Sequence, residues 1–321
     1  MPAIYRRFTF VHLTIVILWL ALPSFVQADS IVNQNYLFPG RNVYSPTIIY
    51  DGTYKMWYGG WQSGSDCCHD KIYYRTSTDG VHWSGSTTVL TPSQISSSTY
   101  HVNDPSVTKH FNSTNGQYQY TMFFTVCVSP CADQAYNQLW SVTSGDGIHW
   151  VYPQQIITGG NGPAEPSAII DPQSNGTFWK VYYMNSGNDE TNVWMAEIGG
   201  NRNFLGAQIV YTFPAGYSIA NPEVRNINGI WRLFFNIYQS GPSGTEANIA
   251  SSASGTNMQW PPSYSLLIGN GGPSICGTIA PGLYPLTGGQ YQLYFGQTPR
   301  QSNGSCDISQ QTTMQMWTWQ Q

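Results

Sequence analysis

Residues 43–61 read VYSPTIIYDGTYKMWYGGW. Two runs rich in β-branched and aromatic residues flank the turn dipeptide Asp51-Gly52, the pattern of a β-hairpin. The first run carries a proline near its start, directly after Ser45. That placement returns at Asp104-Pro105, Glu165-Pro166, Asn221-Pro222 and Ala280-Pro281, with the prolines 59, 61, 56 and 59 residues apart. A turn signal and a second run follow each: YKMWYGGW, YQYTMFFTV, FWKVYYMNS, IWRLFFNIY and YQLYFGQ. The later turns hold Asn115-Gly116, Asn175-Gly176, Asn228-Gly229 and Gly288-Gly289. Third runs come next as KIYYRTSTDG, QLWSVTSGDG, NVWMAEIGG and TTMQMWTWQQ, and short fourth runs as TTVLTP, QQIIT and AQIVYTF.

A period of this length marks a repeat architecture, in which each unit buries its faces against its neighbours. Gly and Pro interrupt every window long enough for a helix, so the expected fold class is all-β. Five units of four strands nearly fill residues 29–321. They predict a single domain, a five-bladed β-propeller of four-stranded antiparallel blades around a central channel. The last unit lacks a fourth run, and IVNQNYLF at 31–38 is placed to supply it and close the ring.

Residues 1–28 are expected to be a secretory signal peptide. Arg6 and Arg7 precede the apolar stretch VHLTIVILWLALPSF, and Val26-Gln27-Ala28 offers a small-residue cleavage site. The expected location is therefore extracellular or periplasmic, as a monomer without membrane attachment after cleavage. Only 9% of the chain is charged, against about 25% in an ordinary globular domain. Losing two arginines takes the formal charge from −4 to about −6. No basic cluster is present to hold nucleic acid. A neutral polar surface with 12 Trp and 22 Tyr suits a neutral, hydroxyl-rich partner, an oligo- or polysaccharide. No cofactor or metal is expected.

The six cysteines form an even set in an exported chain, which reads as disulfides. Cys67 and Cys68 of the first unit are placed to meet Cys127 and Cys131 of the second. Cys276 is expected to pair with Cys306 inside the fifth. The turns STDGVHW and SGDGIHW should be capped by Asp79 and Asp146, with Gly80 and Gly147 taking positive φ. Trp83, Trp150 and Trp260 then tuck between sheets.

In such a ring the first strand of each unit lines the channel, and alternate residues face inward. These are Asp104, Ser106 and Thr108, then Glu165, Ser167 and Ile169, then Asn221, Glu223 and Arg225. The residues before the prolines should ring one mouth, with each proline at a strand's first position. Glu223 lies one pleat deeper, with Arg225 as its expected ion-pair partner. Asp66 and Asp70 should emerge on the same face as the ring. Tyr44, Trp61 and Tyr100 are candidate sugar-stacking platforms. With His101, Asn103, Ser45, Asn221, Glu223 and Arg225 they make up the candidate substrate-binding set.

The five-fold period, the Asp-Pro and Glu-Pro positions and the S-x-D-G-x-x-W turns resemble the five-bladed propeller glycoside hydrolases. Family 43 is the nearest pattern, with the invertase and levansucrase group as relatives. The resemblance covers residues 29–321 at the level of architecture. It implies Glu165 as general acid and Asp104 as the residue that tunes its pKa and orients substrate. In that family blade one supplies an Asp as base or nucleophile, and here the position falls on Ser45.

That departure matters because glycoside hydrolysis by the usual route needs two carboxyl groups, one protonated and one ionised. Asp104 beside Glu165 provides the acid by like-charge repulsion. A serine hydroxyl is too weak a base to replace the other, and losing a general base costs ~10²–10⁴-fold in rate. Two expectations therefore stand. One is a glycoside hydrolase-like protein acting on arabino- or xylo-type neutral glycans. The other is a catalytically impaired carbohydrate-binding propeller.

Overall fold

The computed structural model describes residues 29–62, 69–113, 116–128, 134–157, 161–172, 175–187, 189–214, 218–241, 244–253, 258–269, 275–306 and 311–321. Strands carry most of them. An N-terminal strand, β1 (Ser30–Pro39), precedes four successive sets. The first set is β2 (Asn42–Tyr50), β3 (Tyr54–Trp61), β4 (Lys71–Ser77) and β5 (Thr87–Leu90). The second is β6 (Thr99–Asn112), β7 (Gln117–Val128), β8 (Asn137–Ser144) and β9 (Val151–Ile157). The third is β10 (Pro163–Ile170), β11 (Thr177–Asn185), β12 (Asp189–Gly199) and β13 (Phe204–Thr212). The fourth is β14 (Ser218–Ile227), β15 (Ile230–Gly241), β16 (Gly244–Ala253) and β17 (Ser265–Ile268). Finally come β18 (Ile275–Pro285), β19 (Gln290–Pro299) and β20 (Thr313–Gln320). No α-helix occurs among the described residues.

Each of the first three sets is a separate four-stranded antiparallel sheet. The remaining strands form one sheet in the order β1-β20-β19-β18-β16-β15-β14, with β17 on β16. One parallel bridge, Ala247 to Gly277, joins its halves. The second half is completed by β1, which runs antiparallel to β20 with Ser30 opposite Gln320 and Pro39 opposite Thr313. The stretch at 31–38 thus supplies the missing fourth strand, as expected. The strands β16 and β17 escaped the sequence reading. GTEANIASSA is small and polar, with little β propensity to set it apart from a loop.

The second strand of each set is buried on both faces, so its sequence runs continuously apolar instead of alternating. Successive residues then enter different cores. In β3, Met56 and Tyr58 pack with Phe38, Tyr294, Met314 and Met316, while Trp57 packs with Val107, Met122 and Phe124 of the second set. Phe123 turns instead towards Trp179, Val181 and Tyr183 of the third. Tyr182 and Met184 join Leu233 and Phe235 of the fourth, and Phe234 joins Leu293 and Phe295. Tyr294 completes the round by returning to the first core. This succession is consistent with the five-fold repeat. Burying each large side chain is worth ~1.5–3 kcal/mol, which is why the aromatic runs recur at the same place in every unit.

The proline positions differ from expectation. They lie within the first strand of each set, not at its first residue, and each marks a β-bulge. Register slips between Tyr44 and Thr47, Asn103 and Ser106, Ala164 and Ser167, Ala220 and Glu223, and Ile279 and Gly282. Two residues on the first strand therefore oppose one aromatic on the second: Tyr58, Phe124, Tyr183, Phe235 or Phe295. The residue before each proline is left-handed, with φ of 46° at Ser45, 49° at Asp104, 58° at Glu165, 51° at Asn221 and 57° at Ala280. A left-handed residue followed by one off the ladder is the geometry of a bulge, and proline loses no ladder hydrogen bond there. Holding a non-glycine residue in that region costs of order 1–3 kcal/mol, and the packed ring must over-determine it.

One residue past each proline, the sets are laced together. Thr47 Oγ1 accepts from Val107 N at 3.4 Å, Ser106 Oγ from Ala168 N at 2.8 Å, Ser167 Oγ from Val224 N at 2.9 Å and Glu223 Oε1 from Leu283 N at 3.1 Å. The fifth position is Gly282, where a Cβ would lie 1.7 Å from the Pro46 carbonyl oxygen. The backbones of β18 and β2 meet there directly, so no side chain fits.

The Asp-Gly turns form as read. Asp79 Oδ1 accepts from Val81 N and His82 N at 2.9 and 2.8 Å, and Asp146 Oδ1 from Ile148 N and His149 N at 2.8 Å each. Gly80 and Gly147 have φ of 77° and 81°. Trp150 and Trp260 are buried, and Trp83 donates to the Gly80 carbonyl. Cys127 is buried at the end of β7, while Cys67, Cys68, Cys131, Asp66 and Asn115 lie outside the described residues, as do residues 1–28. The structure does not show the expected Cys276–Cys306 bridge. Cys276 is buried with its thiol 3.7 Å from the Pro299 carbonyl, and Cys306 is half-buried.

Candidate active site

The five bulges aim their left-handed residues at one mouth. Ser45, Asp104, Glu165, Asn221 and Ala280 line a narrow central cavity with their prolines and with Thr47, Ser106 and Glu223 below them. Its volume of about 20 Å³ holds little more than one water. Thr108, Ile169 and Arg225 line a separate, open cavity together with Ile49, Val107 and Ala168. Of the residues expected to face inward, Asp104 and Ser106, Glu165, and Asn221 and Glu223 line the central cavity, whereas Ile169 packs into a core with Tyr182 and Leu233.

Asp104 is buried. Burial raises its pKa, opposed by hydrogen bonds from Ser45 and Thr125. Ser45 Oγ donates to Asp104 Oδ1 at 2.6 Å. Glu165 follows on the next set, its amide donating to Thr125 Oγ1 at 2.8 Å and its Oε2 accepting from Asn221 N at 2.7 Å. Surrounding protein pushes its pKa up to about 8, with the charge of Asp104 adding to the effect, the Asn221 amide opposing it and the charge of Glu190 adding further. At neutral pH Glu165 is a carboxylic acid, able to donate a proton.

Glu223 does what its depth suggested. It pairs with Arg225 at 2.9 Å and accepts from Ser167 Oγ at 2.7 Å and Leu283 N. Burial raises its pKa and Arg225 opposes that. Both residues are engaged in holding three sets together.

On the other side of Asp104 lies a second polar group. Tyr44 OH donates to Asp70 Oδ2 at 2.6 Å and accepts from Asn103 Nδ2 at 3.2 Å. Burial pushes Asp70 up to about 7, against the Tyr44 hydrogen bond and with the charge of Asp104. Its other oxygen and Asn103 Oδ1 are buried without a hydrogen-bond partner. His101, a candidate ligand contact, accepts from the Asp70 amide through Nδ1 at 2.9 Å. Burial, then the neighbouring His69, lowers its pKa to about 4. Tyr100 packs against His69, with ring centres 4.3 Å apart. Trp61 is buried at the end of β3.

A larger cavity, of about 370 Å³, opens beside Glu165, a size typical of small-molecule pockets (~300–1,000 Å³). Glu165, Met184, Ser186, Glu190, Ser218, Ile219, Ala220 and Tyr238 line it. Glu190 and Tyr238 were not among the sequence candidates. They stand on β12 and β15, away from the proline motif, and only the pairing of strands brings them to the mouth. No group of three or more His, Cys, Asp or Glu among the described residues could hold a metal ion.

No family model and no curated protein matches the chain. Solved structures do. An exo-1,5-α-L-arabinanase from a bovine ruminal metagenomic library aligns at a TM-score of 0.61 and 13% identity, over 86% of this chain and 92% of that one. A GH43 endo-arabinanase from Bacillus licheniformis aligns at 0.60 and 14%, over 88% and 95%. A Cellvibrio cellulosa α-L-arabinanase, solved with arabinohexaose, aligns at 0.60 and 13%, over 85% and 90%. At these identities the likeness is one of fold. The chain has the all-β, propeller-type fold of family 43 arabinanases and xylosidases, the family its sequence resembles.

Proposed function

We propose that this chain is a secreted, glycoside hydrolase-like protein acting on neutral arabino- or xylo-type oligosaccharides. In this reading the five sets are the blades of a five-bladed propeller over residues 29–321, and the chain works as a monomer. Residues 1–28 serve as its signal peptide, and disulfides staple the loops near the mouth. Glu165 is the general acid and Asp104 tunes its pKa. The observation that carries the reading is Glu165 itself, a carboxyl held protonated near neutrality on the wall of a sugar-sized cavity. The likeness to structures named as arabinanases supports the substrate class.

A second reading is favoured by Ser45. By the sequence resemblance its hydroxyl falls where the family places a carboxylate, and it is committed to Asp104. A propeller that binds these glycans without cleaving them would look the same at this position. Calorimetry with arabino- and xylo-oligosaccharides, run beside reducing-sugar release, separates the two. Release abolished in Glu165→Gln supports the enzyme, and binding without release supports the lectin-like alternative.

A further inference from the structure

The cavity beside Glu165 contains a second carboxylate. Glu190, at the start of β12, lines the same cavity as Glu165. It is exposed, and among the described residues it makes no hydrogen bond or ion pair. Its neighbour Asp189 is the opposite case. Asp189 Oδ1 accepts from Thr191 Oγ1 and Asn192 Nδ2, and its Oδ2 accepts from Trp194 Nε1. One carboxylate fixes the start of the strand, and the other has no hydrogen-bond or ion-pair partner among the described residues.

The other carboxylates around the mouth, Glu165 aside, are buried. Asp104 is buried and bonded to Ser45. Glu223 is paired with Arg225. Asp70 is buried and bonded to Tyr44. A base for hydrolysis must be ionised and must reach a water beside the scissile bond, and Glu190 alone among these is open to solvent. Electrostatics agree with the placement. The Tyr238 hydroxyl, on the same cavity wall, is held protonated first by burial and then by the charges of Glu165, Asp104 and Glu190. Glu190 also strengthens the hold of Glu165 on its proton.

We propose that Glu190 is the general base of this site, taking the part that Ser45 cannot, and that the scissile bond lies in the cavity it shares with Glu165. This rests on the hydrolase reading above. Glu165 passes its proton to the glycosidic oxygen as the bond from that oxygen to the anomeric carbon breaks. Glu190 takes a proton from water as the water oxygen bonds to the same carbon. One water is consumed, two sugar hydroxyls are formed, and solvent returns the proton from Glu190 to Glu165. The catalytic pair is then carried by one sheet of the ring and the cleft beside it, so an Asp at position 45 is not required.

The test compares wild type, Glu190→Gln, Glu190→Ala, Glu165→Gln and Asp70→Asn on arabino- and xylo-oligosaccharides. The readouts are reducing-sugar release, binding by calorimetry and melting temperature. Glu190→Gln should lose ~10²–10⁴-fold in release while keeping its fold and its binding. Sodium azide should restore turnover of Glu190→Ala and yield a glycosyl azide, because azide needs no base to attack; a purely structural role would not respond in this way. Release by Glu190→Gln within a few-fold of wild type overturns the assignment and leaves the hydrolase reading standing. So does a greater loss in Asp70→Asn, which would move the base to Asp70. Binding with no release by wild type overturns both.

Discussion

Ser45 Oγ and Asp104 Oδ1 lie 2.6 Å apart across two neighbouring sheets, each residue in a left-handed bulge conformation. The serine therefore stabilises the ionised form of a buried carboxyl. Because burial leaves the folded pKa of Asp104 above its unfolded value, Asp104 favours folding at low pH and loses that contribution as pH rises through the folded pKa. Ser45→Ala removes a donor to the ionised form and should steepen the loss. Urea unfolding is expected to show a cost of ~1–3 kcal/mol at pH 8 and a smaller one at pH 4. An equal cost at both would mean that the serine acts through packing alone.

Glu165 gives a second pH signature. Its pKa is raised to about 8 in the folded chain, whereas an unfolded Glu titrates near ~4.3. The folded state therefore holds a proton that the unfolded chain releases, and stability falls as pH climbs from ~4.3 to about 8. Glu165→Gln cannot ionise and escapes that fall. Its melting temperature should exceed that of wild type at pH 8.5 and match it at pH 4. Under the proposed function, sugar release by wild type should decline above about pH 8 as the acid loses its proton.

Gly282 tests the closure of the ring. A Cβ there would meet the Pro46 carbonyl oxygen at 1.7 Å and its carbon at 2.7 Å, backbone atoms that cannot rotate away. Gly282→Ala should cost at least ~3 kcal/mol, the upper range for overpacking, or prevent folding. Gly206→Ala, whose added Cβ finds nothing within 4 Å, is the control and should unfold like wild type. A silent Gly282→Ala would mean that β18 and β2 do not meet as described.

The repeat was legible because it is written in residues with strong local preferences. Aromatic second strands, Asp-Gly turns and prolines at nearly equal spacing all follow from packing one unit on the next. The bulges were not legible, since a proline near a strand's start and a proline after a left-handed residue look alike in sequence. Ser45, Asp104 and Glu165 were found through that proline, and the structure does bring them to one mouth. Glu190 and Tyr238 were not. They reach the cavity from polar or aromatic positions on β12 and β15 that carry no motif, and only register brings them together. His101 read as a ligand contact because it stands three residues before Asp104. The bond that its Nδ1 accepts from the Asp70 amide comes from a different strand set and leaves no mark in the local sequence.

The N-terminal strand offers the last test. Asp29, just before β1, pairs through Oδ2 with Arg232 Nη1 at 2.6 Å and accepts from Tyr291 OH at 2.9 Å. Arg232 stands on β15 and Tyr291 on β19, so one carboxylate ties β1 to both halves of the eight-stranded sheet. Both partners of the ion pair are nearly buried, with side-chain exposures of 8% and 5%. Removing one partner of a buried pair strands the other charge, typically at ~3–5 kcal/mol. Asp29→Ala should therefore cost about that much in urea unfolding, and Asp29→Asn less, because the amide oxygen can still accept from both donors. Deleting residues 30–38 should cost more than either, since it removes Phe38 from the core it shares with Tyr58 and Met314 and leaves β20 as an unpaired edge. A deletion that leaves the melting temperature unchanged would show that β1 does not close the ring in solution.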